Sequence, residues 1–232
     1  MKISVIVPAF NEAANIVATL SLLQSSRAKG LEVIVVDGGS VDDTVRIAGP
    51  LADRVLTTPA GRARQMNAGA ALAQGDVLLF LHADTQPPEH CANLITRALT
   101  NNHCHWGRFD VKLSGAHTML RVVECLMNWR SRLTSIATGD QAMFVRRDVF
   151  IGCGGFPDIP LMEDIALSKM LKRCGSPANL REHVVTSSRQ WERRGIVKTI
   201  LMMWRLRFAY AMGADPQVLY RRYYEHQNNA VS

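Results

Sequence analysis

The stretch Asp76-Val-Leu-Leu-Phe-Leu-His-Ala-Asp84 constrains this chain more than any other. Residues 77–81 are apolar without alternation and stop at His82-Ala83-Asp84. So short and uniform a run fits a strand covered on both faces, as in the middle of a parallel sheet. Open α/β sheets bind ligands in the crevice outside the carboxyl ends of their strands. Asp84 therefore stands where a carboxylate can hold a cation and, through it, a diphosphate. The alternative role is to cap the helix that follows Pro87-Pro88.

The chain before Asp84 repeats one pattern. A strand over 3–7 is stopped by Pro8, and a helix opens at Asn11 or Glu12 with Ile16, Leu20 and Leu23 on one face. A β-branched strand over 31–36 ends in Asp37-Gly38-Gly39-Ser40, whose glycines permit a tight turn close to a ligand. Asp42, Asp43 and Thr44 start another helix, residues 54–56 form a third strand, and 61–73 form a small-residue helix able to lie close on the sheet. Residues 1–84 thus read βαβαβαβ, a parallel sheet with helices on both faces.

After Asp84 the pattern changes. Helices are expected over 88–99, 117–133, 161–173 and 196–212, and strands over 106–113 (antiparallel), 141–146 and 178–186. Glu163 and Asp164 fall in the first turn of the third of these helices, and 220–232 reads as a polar, frayed end.

With 232 residues, no repeats and no low-complexity linker, the chain suits a single domain. Its net charge of +7 calls for an acidic partner: nucleic acid, anionic lipid or a phosphorylated small molecule. Five scattered cysteines without C-x-x-C spacing argue against a disulfide scaffold or structural zinc and fit a cytoplasmic protein. The N-terminal apolar run is read as a strand rather than a leader.

Asp37 and Asp84 at alternate strand ends, with the glycine turn at Gly38, would suit a ribose or base plus a metal-bound diphosphate. Backbone N–H groups at a helix start near Asn11 would add donors. The basic residues Arg62 and Arg64 would reach the diphosphate or else form a solvated face. Pro8-Ala-Phe-Asn-Glu12 follows the first strand where a dinucleotide fold would show G-x-G-x-x-G, and no P-loop motif is present.

Val7-Pro8-Ala-Phe-Asn11-Glu12, Val35-Val36-Asp37-Gly-Gly-Ser40 with Asp43-Thr44, Asn67-x-Gly69, and Phe80-Leu81-His82-Ala-Asp84 together resemble the family 2 glycosyltransferases. Gly154-Gly155-Phe156 followed by Glu163-Asp164 is similar to that family's acceptor-side segment, and Gln190-Trp-Glu-Arg-Arg194 resembles, with scrambled order, an element of its processive members. The resemblance implies a GT-A-like α/β fold: a mostly parallel central sheet with helices on both faces, an antiparallel acceptor-side extension and a C-terminal helix. It implies one glycosyltransferase domain, with a nucleotide-binding half over 1–84, an acceptor half over 85–190, and an amphipathic helix and tail over 191–232.

The implied activity is metal-dependent transfer of a sugar from a nucleotide-sugar donor to an acceptor hydroxyl, with inversion. Pro8 and Glu12 would line the nucleotide pocket and Asp37 would contact the base. Asp84 would bind Mn²⁺ or Mg²⁺. The family's first acid of this element is here His82, a poorer partner for a hard cation though better suited to Mn²⁺ than to Mg²⁺. Asp164 would be the general base beside Glu163, and His183 an accessory ligand. Short members of this kind are similar to a bacterial group linked to arsenosugar biosynthesis.

The competing readings are a nucleotidyltransferase and a non-enzymatic nucleic-acid-binding module. The first lacks its glycine-rich phosphate loop. In the second, the basic residues sit beside an apolar helix face rather than aromatic stacking platforms, so the expectation is no nucleic-acid partner. Val197, Leu201, Trp204, Phe208 and Ala211 share one helical face, with Lys198, Arg205 and Arg207 off it. That face would meet an anionic membrane surface, pack on the domain, or join a second subunit in a homodimer.

Overall fold

The computed structural model describes residues 1–100 and 104–228. The chain begins β1 (Ile3–Ala9), α1 (Ile16–Arg27), β2 (Glu32–Asp37), α2 (Thr44–Ala48), β3 (Arg54–Thr57), α3 (Arg62–Leu72) and β4 (Val77–Phe80). It continues with β5 (Thr85–Gln86), α4 (Cys91–Thr100), β6 (Trp106–Leu113), α5 (Thr118–Thr134), β7 (Phe144–Arg146), α6 (Arg147–Gly152) and α7 (Glu163–Leu171). Last come β8 (Ala178–Thr186), α8 (Arg189–Arg194), α9 (Ile196–Ala211) and α10 (Pro216–Asn228).

The strands form one sheet in the order β3-β2-β1-β4-β7-β6-β8-β5. The first four are parallel. β7 runs antiparallel to both β4 and β6, whereas β8 runs parallel to β6. Strand alternation distributes the core over two layers. Val5, Val7, Val33, Val35, Leu79 and Leu81 face α1, α4 and α5. Ile6, Ile34, Val36, Leu78 and Phe80 face α3, α6 and α7. Burial on both faces explains why β2 and β4 read as unbroken apolar runs. The small residues of α3 let it sit close: a Cβ on Gly69 would come within 2.5 Å of Ile6.

Several sequence expectations change. Pro8 does not stop β1, which runs to Ala9. Ile6 O accepts from Leu81 N, so the equivalent edge of Pro8, two residues on, faces the space beyond the end of β4. No ladder donor is lost there. The first helix starts at Ile16, not at Asn11 or Glu12, because Asn11 adopts a left-handed φ of 53°. The N–H groups of Asn11, Glu12 and Ala13 donate to Ser40, Thr44 and Asp42, so a neighbouring loop uses the donors expected to serve a ligand.

β7 is shorter than the strand expected over 141–146, since Gly139–Gln141 forms a 3-10 turn. The frayed end expected over 220–232 is helical as far as Asn228, within α10; residues 229–232 lie outside the described ones. α9 and α10 pack over the start of α7, where Leu206 and Leu219 meet Met162 and Ile165. Among the described residues no helix is long and apolar enough to cross a membrane.

Candidate active site

Three segments distant in sequence meet beyond the end of β4. His82 leaves the strand with its side chain 12% exposed and Nδ1 3.4 Å from Asp140 Oδ1. Gly139 abuts the same imidazole, and a Cβ at that position would run into the ring. Gly139 N in turn donates to Asp164 Oδ2 at 2.9 Å. The turn that links the three is held by Gln141, whose Oε1 accepts from Thr138 N at 3.1 Å and Ser131 Oγ at 2.6 Å.

The acids of α7 sit on a constrained backbone. Met162, just before Glu163, takes φ +71°, a costly value for a side chain of its size. Its buried side chain lies in the cluster with Leu206 and Leu219, so packing of α9 and α10 holds that backbone. Glu163 is 5% exposed. Burial, and then the charge of Asp164, raise its carboxyl to about 7, against the pull of Arg62. Asp164 is also raised by burial, although the N–H groups of Gly139 and Ile165 and the charge of Arg62 oppose the shift. At Asp140 burial also raises, but the hydrogen bond and charge of His82, with Arg62 and Arg130, outweigh it and the pKa falls. Neighbouring acids thus have separated proton affinities, a pattern found where acid–base work is done.

Two arginines complete this side. Arg62 starts α3 and is exposed, yet lies near enough to Glu163 and Asp140 for their charges to act on it. Burial disfavours its charge, but Glu163, Asp140, Tyr223 and Tyr224 more than compensate and its pKa rises. It therefore lies among the acids expected to act on the acceptor. Arg64 instead pairs with Asp158 at 2.9 Å on the surface. Arg130, which sequence reasoning missed, has its pKa lowered by burial against the pull of Asp164 and Asp140. Its Nε and Nη2 are buried without a partner among the described residues. Asp140 was missed as well, and no sequence signal marked that turn.

The other side of the crevice is built locally. Asp37 ends β2 at 2% exposure, and its carboxylate accepts from Gly39 N, Ser40 N and Ser40 Oγ. Gln65, also missed, donates its side-chain amide to Ala9 O at 2.9 Å and Val36 O at 2.7 Å, tying the ends of β1 and β2. Gly38 leaves room for that amide, which a Cβ would meet at 3.1 Å. Asn67 pairs with both backbone groups of Phe156, joining two of the motifs read in the sequence. Pro8 is half-buried near the end of β1.

Glu12 accepts from Asn15 and stands 3.9 Å from Arg189. Burial raises its pKa, and the charge of Asp84 adds to the shift. His82 is felt by both Glu12 and Glu163, so it lies between the two sides. His183 is exposed on β8.

Among the described residues no three His, Cys, Asp or Glu side chains are grouped to hold a metal ion. The residues fit a cation that draws its other oxygens from a bound diphosphate and water. Asp84 is half-buried, its one side-chain hydrogen bond among the described residues is a long 3.5 Å contact from Thr85 Oγ1, and its charge already perturbs Glu12. Hard divalent cations accept such an oxygen set. His82 fits that role less well, because its Nδ1 faces Asp140 and its ring abuts Gly139.

Residues 4–153 match the model of a protein family described as Glycosyl transferase family 2. A probable glycosyltransferase, YdaM of Bacillus subtilis, is 28% identical over 94% of this chain and 56% of its own length. An undecaprenyl-phosphate 4-deoxy-4-formamido-L-arabinose transferase of Pseudomonas paraeruginosa is 30% identical over 58% of this chain and 41% of its own. The chain spans about half the length, or less, of these relatives. Of solved structures, Staphylococcus aureus TarS 1–349 in complex with UDP is 19% identical with a TM-score of 0.67, over 81% of this chain and 60% of that one. Glucosyl-3-phosphoglycerate synthase from Mycobacterium tuberculosis, in complex with Mn²⁺, UDP and glucosyl-3-phosphoglycerate, is 22% identical with a TM-score of 0.60, over 80% and 70%. These two likenesses are of fold.

Proposed function

The chain belongs to glycosyltransferase family 2 and has the GT-A fold, and from that premise we propose that it transfers a sugar from a nucleoside diphosphate donor to an acceptor hydroxyl, inverting the anomeric centre. The observation that carries this reading is the convergence of His82 beyond β4, Asp140 from the 3-10 turn and Glu163-Asp164 from α7, with Asp84 two residues after His82 and close enough to act on Glu12. We take uridine diphosphate as the donor's carrier, in line with the similar folds that hold UDP. Residues 1–84 would form the donor half, 85–190 the acceptor half, and the remainder a helical cover, in one cytoplasmic domain.

In this reading Pro8, Glu12, Asp37 and Gly38 shape the nucleotide pocket. Asp84 would hold Mn²⁺ or Mg²⁺ together with diphosphate oxygens; bound there, the cation supplies charge neutralisation to the departing diphosphate. His82 orients Asp140 instead of serving as a ligand. Asp164 takes the proton of the acceptor hydroxyl as that oxygen attacks the anomeric carbon from the face opposite the diphosphate. The bond from carbon to the diphosphate oxygen breaks, and its electron pair leaves on that oxygen. A raised Asp164 pKa strengthens it as a base, while its two backbone donors fix the carboxylate plane. Glu163 shares the local proton, and Arg62 offsets the negative charge of the pair.

The test is incubation with a panel of nucleotide sugars and Mn²⁺, with released nucleoside diphosphate measured. Turnover of a uridine diphosphate sugar, lost when metal is chelated, is the expected result. Pyrophosphate release from a nucleoside triphosphate would replace this reading with nucleotidyl transfer.

A further inference from the structure

α9, with Met212 just past its end, presents Val197, Leu201, Trp204, Phe208 and Met212 to solvent, each at 56–73% exposure. α5, which packs beside it, presents Val122, Leu126, Trp129 and Leu133 at 40–64%. Each series recurs at spacings of three and four, so each forms a stripe along its helix. Nine large apolar side chains exposed on two adjoining helices exceed what scattered surface residues explain. A cavity of about 340 Å³ opens between α9 and α10, with Leu206 and Leu219 at its base and Lys198, Arg205 and Arg222 around it. Leu201 belongs both to this cavity and to the exposed stripe.

The charge around these stripes is one-sided. Residues 189–224 hold eight Lys or Arg against two acids, which accounts for six of the chain's seven net positive charges. A second copy docked symmetrically on this face would bring those cations against their own equivalents. An anionic bilayer supplies the complementary charge and an apolar layer beneath it. Trp and Phe suit the boundary between the two.

We propose that the α5–α9 face is a docking surface for a bilayer rich in anionic phospholipid. Lys198, Arg205 and Arg222 meet the headgroups, and Trp129, Trp204 and Phe208 enter the interface. The attachment is peripheral. The layer of α9 and α10 also packs on Met162 and Ile165, which flank Glu163 and Asp164, so docking places the catalytic crevice close to the lipid surface. The proposal stands apart from sugar transfer, and its test uses no sugar.

The full chain is sedimented with phosphatidylglycerol-containing vesicles and with phosphatidylcholine vesicles at low and high salt, while ultracentrifugation follows its oligomeric state. Binding to the anionic vesicles alone, weakened by salt, is expected. Trp204→Ser/Phe208→Ser should abolish sedimentation and leave the melting temperature unchanged, since both rings are more than 60% exposed. Each cation near such a surface is worth roughly fivefold in affinity, so Lys198→Glu/Arg205→Glu should weaken binding by more than about 25-fold. No binding at low salt, or equal binding to phosphatidylcholine, overturns the proposal. So does a dimer that the aromatic variant dissolves without any vesicle binding, or an aromatic variant that fails to fold, since either would make the stripe a protein contact.

Discussion

At the end of β2 the carboxylate of Asp37 is satisfied by donors no more than three residues away, whereas Asp164 takes one of its donors from Gly139, 25 positions earlier. The same contrast runs through the whole crevice. The nucleotide side is a set of closed loops, in which Asn11 pairs with Ser40 and Val41, Thr44 with Asp42, and Gln65 with Ala9 and Val36. The acceptor side gathers Arg62, Arg130, Asp140, Glu163 and Asp164 from three helices and a turn, leaves Arg130 partly unpartnered among the described residues, and moves proton affinities in both directions. Shape is set where hydrogen bonds are satisfied. Reactivity is set where charges are held together at some electrostatic cost.

That contrast can be broken by substitution. Asp164→Asn should reduce turnover by about 10²–10⁴, the usual worth of a positioned base, with the affinity for donor nearly unchanged. An equal loss of donor binding, measured by calorimetry with uridine diphosphate, would assign Asp164 to the nucleotide side. Asp84→Asn should cost on the order of a hundredfold or more and abolish the response of turnover to Mn²⁺. A variant that keeps its Mn²⁺ titration would remove Asp84 from the metal site.

The third variant concerns protons. Glu163 titrates at about 7 in the folded protein against an ordinary 4.5, so the folded state retains a proton that the unfolded chain releases. Stability is therefore full below the ordinary value and falls as pH rises through about 7. Glu163→Gln should lose less stability between roughly pH 4.5 and 7, by up to about 3 kcal/mol. Parallel pH–stability curves for the two proteins would mean that Glu163 is ionised throughout. The smallest effect on turnover belongs to the nucleotide side. Asp37→Ala leaves three donors without an acceptor and should cost about 1–3 kcal/mol of stability, a fall in Tm of roughly 3–10 °C. Its residual catalysis should show a raised KM for the donor with little change in kcat. A kcat loss rivalling that of Asp164→Asn would erase the distinction between the two sides.

Legibility in the sequence followed the same divide. Asp37, Gly38 and Asp84 could be read because a strand end and a turn are local patterns, and β6 was bounded as found because its alternation is local too. Asp140 could not be read, since a 3-10 turn between a helix and a strand has no signature that marks its acid as different from any other surface acid. Arg130 sits in a helix whose basic residues look alike until α5 is packed. Pro8 misled in the other direction: its missing donor matters only if a neighbouring strand faces it, and β4 has already ended there.

The sequence by itself determined the alternation of strands and helices, the parallel half of the sheet and the family-like motifs at its strand ends, because each rests on residues a few positions apart. Tertiary structure alone decided three things. It turned His82 toward Asp140, it placed Arg62 among the acids of α7, and it set a two-helix layer behind the left-handed Met162. These depend on side chains brought together across roughly 40 to 100 positions, as between Met162 and Leu206 or Arg62 and Glu163. Proton affinity depends on burial and on the nearest charges, and neither exists until the chain has closed around them.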